Sequence, residues 1–217
     1  MGAFYIGGNK VSPIIKEGST PTGTLSITEN GTYDVTDYAS ADVNVSGGGG
    51  VSIPLEVSAN GELQKQTTSF TWSLPSNVTD VKNYALYYAF YNCTGITSVD
   101  LSSLTTIGGS TAMSSAFYNC TGITSVDLSS LTTISGILAM STAFSGCTSL
   151  TTLSFPALTS TSFGSYSNQF NNMLQGVTGC TVHFPSNLQN KIGSWSSVTS
   201  GFGGTNTTVL FDLPATT

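Results

Sequence analysis

The chain has 217 residues, enough for one elongated domain with small appendages. Charged residues make up only 7% of it, and the net charge is −6. There is no basic patch to neutralise phosphates, which excludes nucleic acid as a partner, and no apolar run reaches the roughly 18 residues of a membrane-inserting helix. Ser, Thr, Gly and Asn take the place of charge, so a neutral polar surface is expected over an apolar core.

Residues 1–20 carry Phe4, Tyr5, Ile6, Val11, Ile14 and Ile15. They are too few to bury one another, and an N-terminal anchoring arm is expected, docked on another protein or on another copy of the chain. The segment has no basic start followed by a long apolar run, so it does not read as a signal peptide. Residues 21–46 read as a small β module. Leu25-x-Ile27 and Tyr33-x-Val35 alternate on either side of Asn30-Gly31, which predicts a hairpin, and Val43-x-Val45 adds a third strand. The run ITENGTYDV at 27–35, followed by that Val-x-Val strand, resembles a module of bacteriophage tail and other structural proteins. The resemblance implies a setting, the virion, and no chemistry.

Gly47–Gly50 reads as a flexible linker. Beyond it, 51–185 is predicted to form a repeat solenoid and 186–217 its C-terminal cap. Val51, Ile53, Leu55 and Val57 alternate as a first capping strand would. The repeat itself is clearest at Phe90, Phe117 and Phe144, each 27 residues after the last, and Cys93, Cys120 and Cys147 keep the same step. A period of this length marks a stacked architecture, in which a single unit cannot bury its own apolar face. Trp72 and Leu74 lie 27 residues before Val99 and Leu101, which sets a degenerate first copy. Val78 and Val81 lie 26 before Leu104 and Ile107, a slip of one residue after Pro75.

Each unit carries two signals. Apolar pairs four apart, Ala85-Leu86 with Ala89-Phe90 and their equivalents, predict a helical turn. Val99-x-Leu101 predicts a short strand at 98–101. Strand plus helical turn makes the expected class an α+β repeat solenoid with parallel strands. The copies AFYNCTGITSV at 89–99, the same eleven residues at 116–126 and AFSGCTSLTTL at 143–153 resemble the BspA-type leucine-rich repeat, over roughly residues 70–185. Family members usually place Ile-Pro or Phe-Pro after the strand, and here only Phe155-Pro156 and Phe184-Pro185 do so. After Phe155 the pattern stretches. Phe170 follows Phe144 by 26, and Val182-x-Phe184 follows Leu153-x-Phe155 by 29. A helix over 186–198, with Leu188, Ile192 and Trp195 on one face, and a strand over 208–213 are expected to close the stack.

Three cysteines in one register point to buried thiols, not disulfides. Asn77, Asn92, Asn119 and Asn206 each begin an Asn-x-Thr triplet. In the repeats this is the turn's own chemistry, because Asn bonds its local backbone there. Neither a nucleophile motif nor a zinc or phosphate-loop motif is present, and His183 is the single His. No enzyme, cofactor or metal is therefore expected. The informative surface is the outward side of the strands. With Val99 and Leu101 inward, one outward column is Ser73, Asp100, Asp127, Ser154 and His183, and its neighbour is Thr71, Ser98, Ser125, Thr152 and Thr181. Such ladders serve solenoids as binding faces. This one is hydroxyl-rich, faintly acidic and poor in aromatics, and suits a glycan or a polar protein surface. Taken with the two resemblances, these residues imply a virion protein of a phage tail or fibre, attached to other virion proteins through its arm, contacting the host surface and assembled as a homo-oligomer such as a trimer. Capsid decoration and a bacterial cell-surface adhesin are the alternatives.

Overall fold

Val99 turns inward and Asp100 outward because a strand alternates its side chains, and the strand they share is the middle of a ladder. In the computed structural model, residues 69–74, 76–159 and 168–216 are described in full, together with the backbone of seven strands between residues 4 and 65. The solenoid has three kinds of face. On the first, strands β8 (Phe70–Ser73), β10 (Ile96–Asp100) and β12 (Ser125–Asp127) pair in parallel. It continues with β14 (Thr152–Ser154), β15 (Thr181–Pro185) and β16 (Thr208–Leu213), again parallel. On the second, the two-residue strands β9 (Asp80–Val81), β11 (Thr106–Ile107) and β13 (Thr133–Ile134) stack in register. The steps of 27 on the first face, 26 at Val81 and 29 at Val182 all appear as strand partners.

The third face corrects the α half of the expected class. Residues 83–93 and their equivalents form no helix. They are a ribbon of turns in which every fourth residue has positive φ: Tyr84, Tyr88 and Asn92, then Thr111, Ser115 and Asn119, then Leu138, Thr142 and Gly146. Alternate N–H groups close local turns, as Ala85 N does on Lys82 O and Ala89 N on Leu86 O, both at 3.1 Å. The others leave the coil altogether. Leu86 N donates to Ala112 O at 2.8 Å and Phe90 N to Ala116 O at 2.7 Å. A helix would satisfy these donors four residues back in its own turn. Here they bind the next coil, so this face is a second inter-coil ladder. The apolar residues are still buried as expected: Leu86, Ala89 and Phe90 are inaccessible. Asn92 and Asn119 occupy the left-handed position that ends the ribbon, and Gly146 replaces them in the next coil.

Between the faces runs one core. The rings of Phe90, Phe117 and Phe144 stack at centroid distances of 5.1 and 5.5 Å, nearly parallel, and Trp72 meets Phe90 edge-on at 4.6 Å. A second stack, Phe155, Phe184 and Phe211, runs toward the C-terminal end at 5.0 and 5.7 Å. The step from the third ribbon to the fourth is three residues longer than the earlier steps, while the ribbon itself keeps its spacing. Met140 N donates to Gln169 O, where one coil earlier Met113 N donates to Ala139 O. This corrects the expected place of Phe170. It continues the Leu86, Met113, Met140 column, while Leu174 continues that of Phe144. Both columns ask only for a large apolar group, so residue type alone does not show the insertion. Gln169 falls in the Ala85, Ala112, Ala139 column and is buried there with its amide unpartnered.

All four cysteines are reduced and buried. Cys120 donates its thiol to Phe90 O at 2.9 Å and Cys147 to Phe117 O at 3.1 Å. Burial pushes the Cys147 thiol up to about 12 and that of Cys180 up to about 11. Their neutral form stabilises the fold fully below the ordinary thiol range, about 8.5, and that contribution is lost as the pH climbs through the raised values. Native protein at pH 7 should therefore resist a thiol reagent, react at all four sites on denaturation, and lose stability above about pH 9. Rapid labelling of Cys120 or Cys147 in the native protein would contradict the packing.

At the C-terminal end the expected single helix is broken into a turn at Ser186–Leu188, α1 (Gln189–Ile192) and α2 (Ser196–Thr199). Leu188 and Ile192 are buried, and Trp195 packs against the core partly covered. At the other end, β1 (Phe4–Ile6) pairs antiparallel with β2 (Asn9–Ile14), which pairs parallel with β4 (Gly31–Asp34). The rest of residues 1–20, predicted as an arm, lies outside the described residues. The predicted hairpin across Asn30-Gly31 is also corrected. β3 (Thr24–Ile27) lies in another sheet, ordered β3, β5 (Ser40–Val45), β6 (Val51–Val57) and β7 (Leu63–Lys65). β3 pairs parallel with β5, which requires a crossover, and β4 lies within that crossover. Val45 pairs with Val51, so the chain on both sides of Gly47–Gly50 shares one sheet. β6, expected to cap the solenoid, pairs with β5 and β7.

Candidate functional site

The outward columns form only in part. Ser73, Asp100 and Asp127 are strand partners in sequence, as are Thr71, Ser98 and Ser125. Further on, Ser154 pairs with His183 and Thr152 with Thr181. Between these groups the ladder is interrupted. β12 ends one sheet and β14 begins the next, without pairing. Val126 is partly exposed at this break, while Val99 and Leu153 in the same column are 1% exposed. The predicted continuous strip is thus two strips, Ser73 to Asp127 and Ser154 to His183.

The two carboxylates have local structural work. Asp100 Oδ1 accepts from Ser102 N at 2.9 Å, and Asp127 Oδ1 from Ser129 N at 2.8 Å. Each closes an Asx turn where its strand leaves the sheet. Hydrogen bonds from Ser102, side chain first and then backbone, hold the Asp100 carboxyl below the usual range. Its contribution to stability is therefore complete above the ordinary carboxylate pKa and disappears only as the pH falls through the lowered value. Many of the hydroxyls are also committed. Thr97 donates to Phe70 O and Thr124 to Thr97 O. Thr105, Thr132 and Thr159 do the same on the second face, each bonding a carbonyl of the coil before. Ser98 and Ser125 bond one another, Oγ to Oγ at 2.9 Å, and remain partly or fully exposed.

His183, unpartnered in the sequence reading, has a partner 29 residues away. Its Nδ1 lies 2.9 Å from both carboxylate oxygens of Asp212 on β16. Ser154 neighbours it on the other side, so Ser, His and Asp come together. No hydrogen bond joins Ser154 to His183, and the set lies on an open strand face with Asp212 half-exposed. A nucleophile is activated by a base it bonds, and His183 is bonded to Asp212 and not to Ser154. Among the described residues no group of three or more His, Cys, Asp or Glu could hold a metal ion, and no helix is long and apolar enough to cross a membrane.

A cluster that the sequence reading passed over lies on the turn face of the first full coil. Tyr84, Tyr87, Tyr88 and Tyr91 form a chain of ring contacts at 5.6, 4.5 and 5.2 Å, and Tyr91 stacks on Tyr118 at 5.0 Å. The available signal was a comparison between copies. Thr111, Ser114 and Ser115 replace the first three tyrosines in the next coil, and Leu138, Ser141, Thr142 and Ser145 stand in the one after.

The profile of the BspA type leucine-rich repeat region matches residues 64–195 in six copies, more than half of the chain. The chain belongs to the BspA type leucine-rich repeat family. The match begins at β7 and ends beyond α1, so it takes in the degenerate first copy and the stretched last one along with the three clear ones. In this BspA type protein the strand carries the leucine-rich signature, while the return path is a turn ribbon. Comparisons with curated proteins and with solved structures returned no match.

Proposed function

We propose that the solenoid is a non-catalytic binding module, and that its strand face meets a glycan or a polar protein on a cell surface. The observation that supports this reading is the register of Ser98 with Ser125 and Asp100 with Asp127, which repeats one polar pattern along the stack on an open face. The experiment is the double variant Asp100→Asn, Asp127→Asn. Asn keeps the Asx turns and removes two like charges on paired strands. Cell binding should fall several-fold while the melting temperature stays level or falls slightly, because Asn keeps the bond from Ser102 N and loses only the ionised form that it favours at Asp100. Equal binding by variant and parent removes the strand face from consideration.

The setting we propose is a phage virion, in the tail or its fibres, with the N-terminal segment joined to other virion proteins in a homo-oligomer. Its support is the resemblance of ITENGTYDV at 27–35. Peptide mapping of purified particles tests it. Finding the chain on bacterial envelopes and not on particles favours a surface adhesin, and finding it on capsids favours decoration.

A further inference from the structure

We infer that the tyrosine cluster on the turn face is a second binding site, and that its ligand is an uncharged pyranose-rich saccharide. The site lies on a different face from the strand ladder and does not rest on the function proposed for that ladder.

The rings are not there to build the fold. The coil carrying Thr111 and Ser115, and the next with Leu138 and Thr142, make the same ribbon with the same positive φ values. Nor are the rings withdrawn from solvent: Tyr84 is 49% exposed and Tyr91 36%, among the few large apolar-faced residues left open on the described surface. A contiguous exposed aromatic patch on a chain that otherwise covers its core marks an interaction surface.

The chemistry around the rings selects the ligand class. No charged residue occurs from Asn83 to Val99, and the nearest pair, Lys82 and Asp80, bond one another. An ionic ligand therefore finds no countercharge on the segment that carries the rings. A wholly apolar ligand would strand the hydroxyls of Tyr84, Tyr88 and Tyr91 and the neighbouring amides. Asn119 Nδ2 donates to Asn92 Oδ1 at 3.2 Å, which occupies the acceptor of Asn92 and leaves its N–H groups to a ligand. Flat apolar faces beside hydroxyl and amide groups match a sugar ring, whose C–H face stacks on an aromatic while its hydroxyls hydrogen-bond at the rim. The stacked Tyr91 and Tyr118 step along the coil axis, so the platform accepts more than one residue of an oligosaccharide.

The test is a glycan array of neutral and charged oligosaccharides, probed with the full chain and with Tyr84→Thr, Tyr88→Ser, Tyr91→Ser. Those three residues are replaced by types found in the same columns of later coils, at Thr111, Ser115 and Ser145, so the variant keeps a ribbon the fold already uses. The expected result is binding to neutral pyranose-rich spots that falls by about tenfold or more in the triple variant. It should persist in Asp100→Asn, Asp127→Asn, with parent and variant melting together. Absence of binding to any neutral glycan overturns the inference, as does equal binding by parent and triple variant. A sedimentation shift from dimer to monomer in the triple variant also overturns it, and assigns the patch to a second copy of the chain.

Discussion

Phe117→Ala will destabilise the protein by about 3–5 kcal/mol, the cost of truncating a large ring in a packed core. Phe117 is fully buried and stands in the middle of a three-ring stack, 5.1 Å from Phe90 and 5.5 Å from Phe144. The alanine therefore loses three aromatic contacts, the third with Trp72 at 6.4 Å, each worth about 0.5–1.5 kcal/mol beyond the area buried. Its cavity opens at the centre of the solenoid, where both neighbouring coils are held by the ribbon ladder and cannot close over it. Phe117 N donates to Ala143 O at 2.9 Å, and Phe90 N to Ala116 O at 2.7 Å. Coils are stabilised by their neighbours, so denaturation is expected to split into separate transitions for the two sides. Urea unfolding followed by tyrosine and tryptophan fluorescence reads both effects. A loss below about 1 kcal/mol is what a surface substitution gives, and it would show that the ring stack does not hold the coils.

Gly136→Ala will have an effect of similar size for the opposite reason. A Cβ at residue 136 would lie 1.9 Å from Gly109 O and 2.5 Å from Gly109 C. Both atoms are backbone, so no side chain can swing aside. The coils are tied together at this point. Ser135 N donates to Ile107 O at 3.0 Å, and Thr111 N to Ile137 O at 2.8 Å. Making room means breaking these bonds or bending the stack, and overpacking of this kind costs about 1–3 kcal/mol or more. The upper end is expected because the strain falls on two ladders at once. The measurement is the unfolding midpoint of Gly136→Ala, with far-ultraviolet circular dichroism to show that the remaining coils persist. A midpoint equal to that of the parent would mean that successive coils do not approach this closely.

The path of the chain was legible wherever a position recurs in every coil. Inward residues must repeat, because each coil faces the same core. Phe90, Cys93, Ile96 and Val99 with their equivalents could therefore be placed by counting. The same count foresaw the slip before Val81 and the stretch of 29 before Val182. It failed where two geometries share a period. A helix repeats every 3.6 residues and the turn ribbon every four, and both put Ala85 and Ala89 on one side. The discriminating residues were Asn92, Asn119 and Gly146, a column suited to positive φ. Along the N-terminal strands, Asn30-Gly31 carries a strong local turn signal, yet β3 takes its partner from β5.

The sequence alone determined the stacked architecture, the parallel strands, the composition of the core and the reduced state of the thiols, since each follows from a pattern of residue types repeated at fixed spacing. Only the tertiary structure decided where backbone donors go, and with that the nature of the third face. An N–H group carries no side-chain label, and Leu86 reaches Ala112 instead of its own turn only because the next coil is there. The surface was decided in the same way. The break between β12 and β14, the pairing of His183 with Asp212 and the joining of Tyr91 to Tyr118 depend on which coils lie beside one another and how closely, and these distances arise only once the stack is formed.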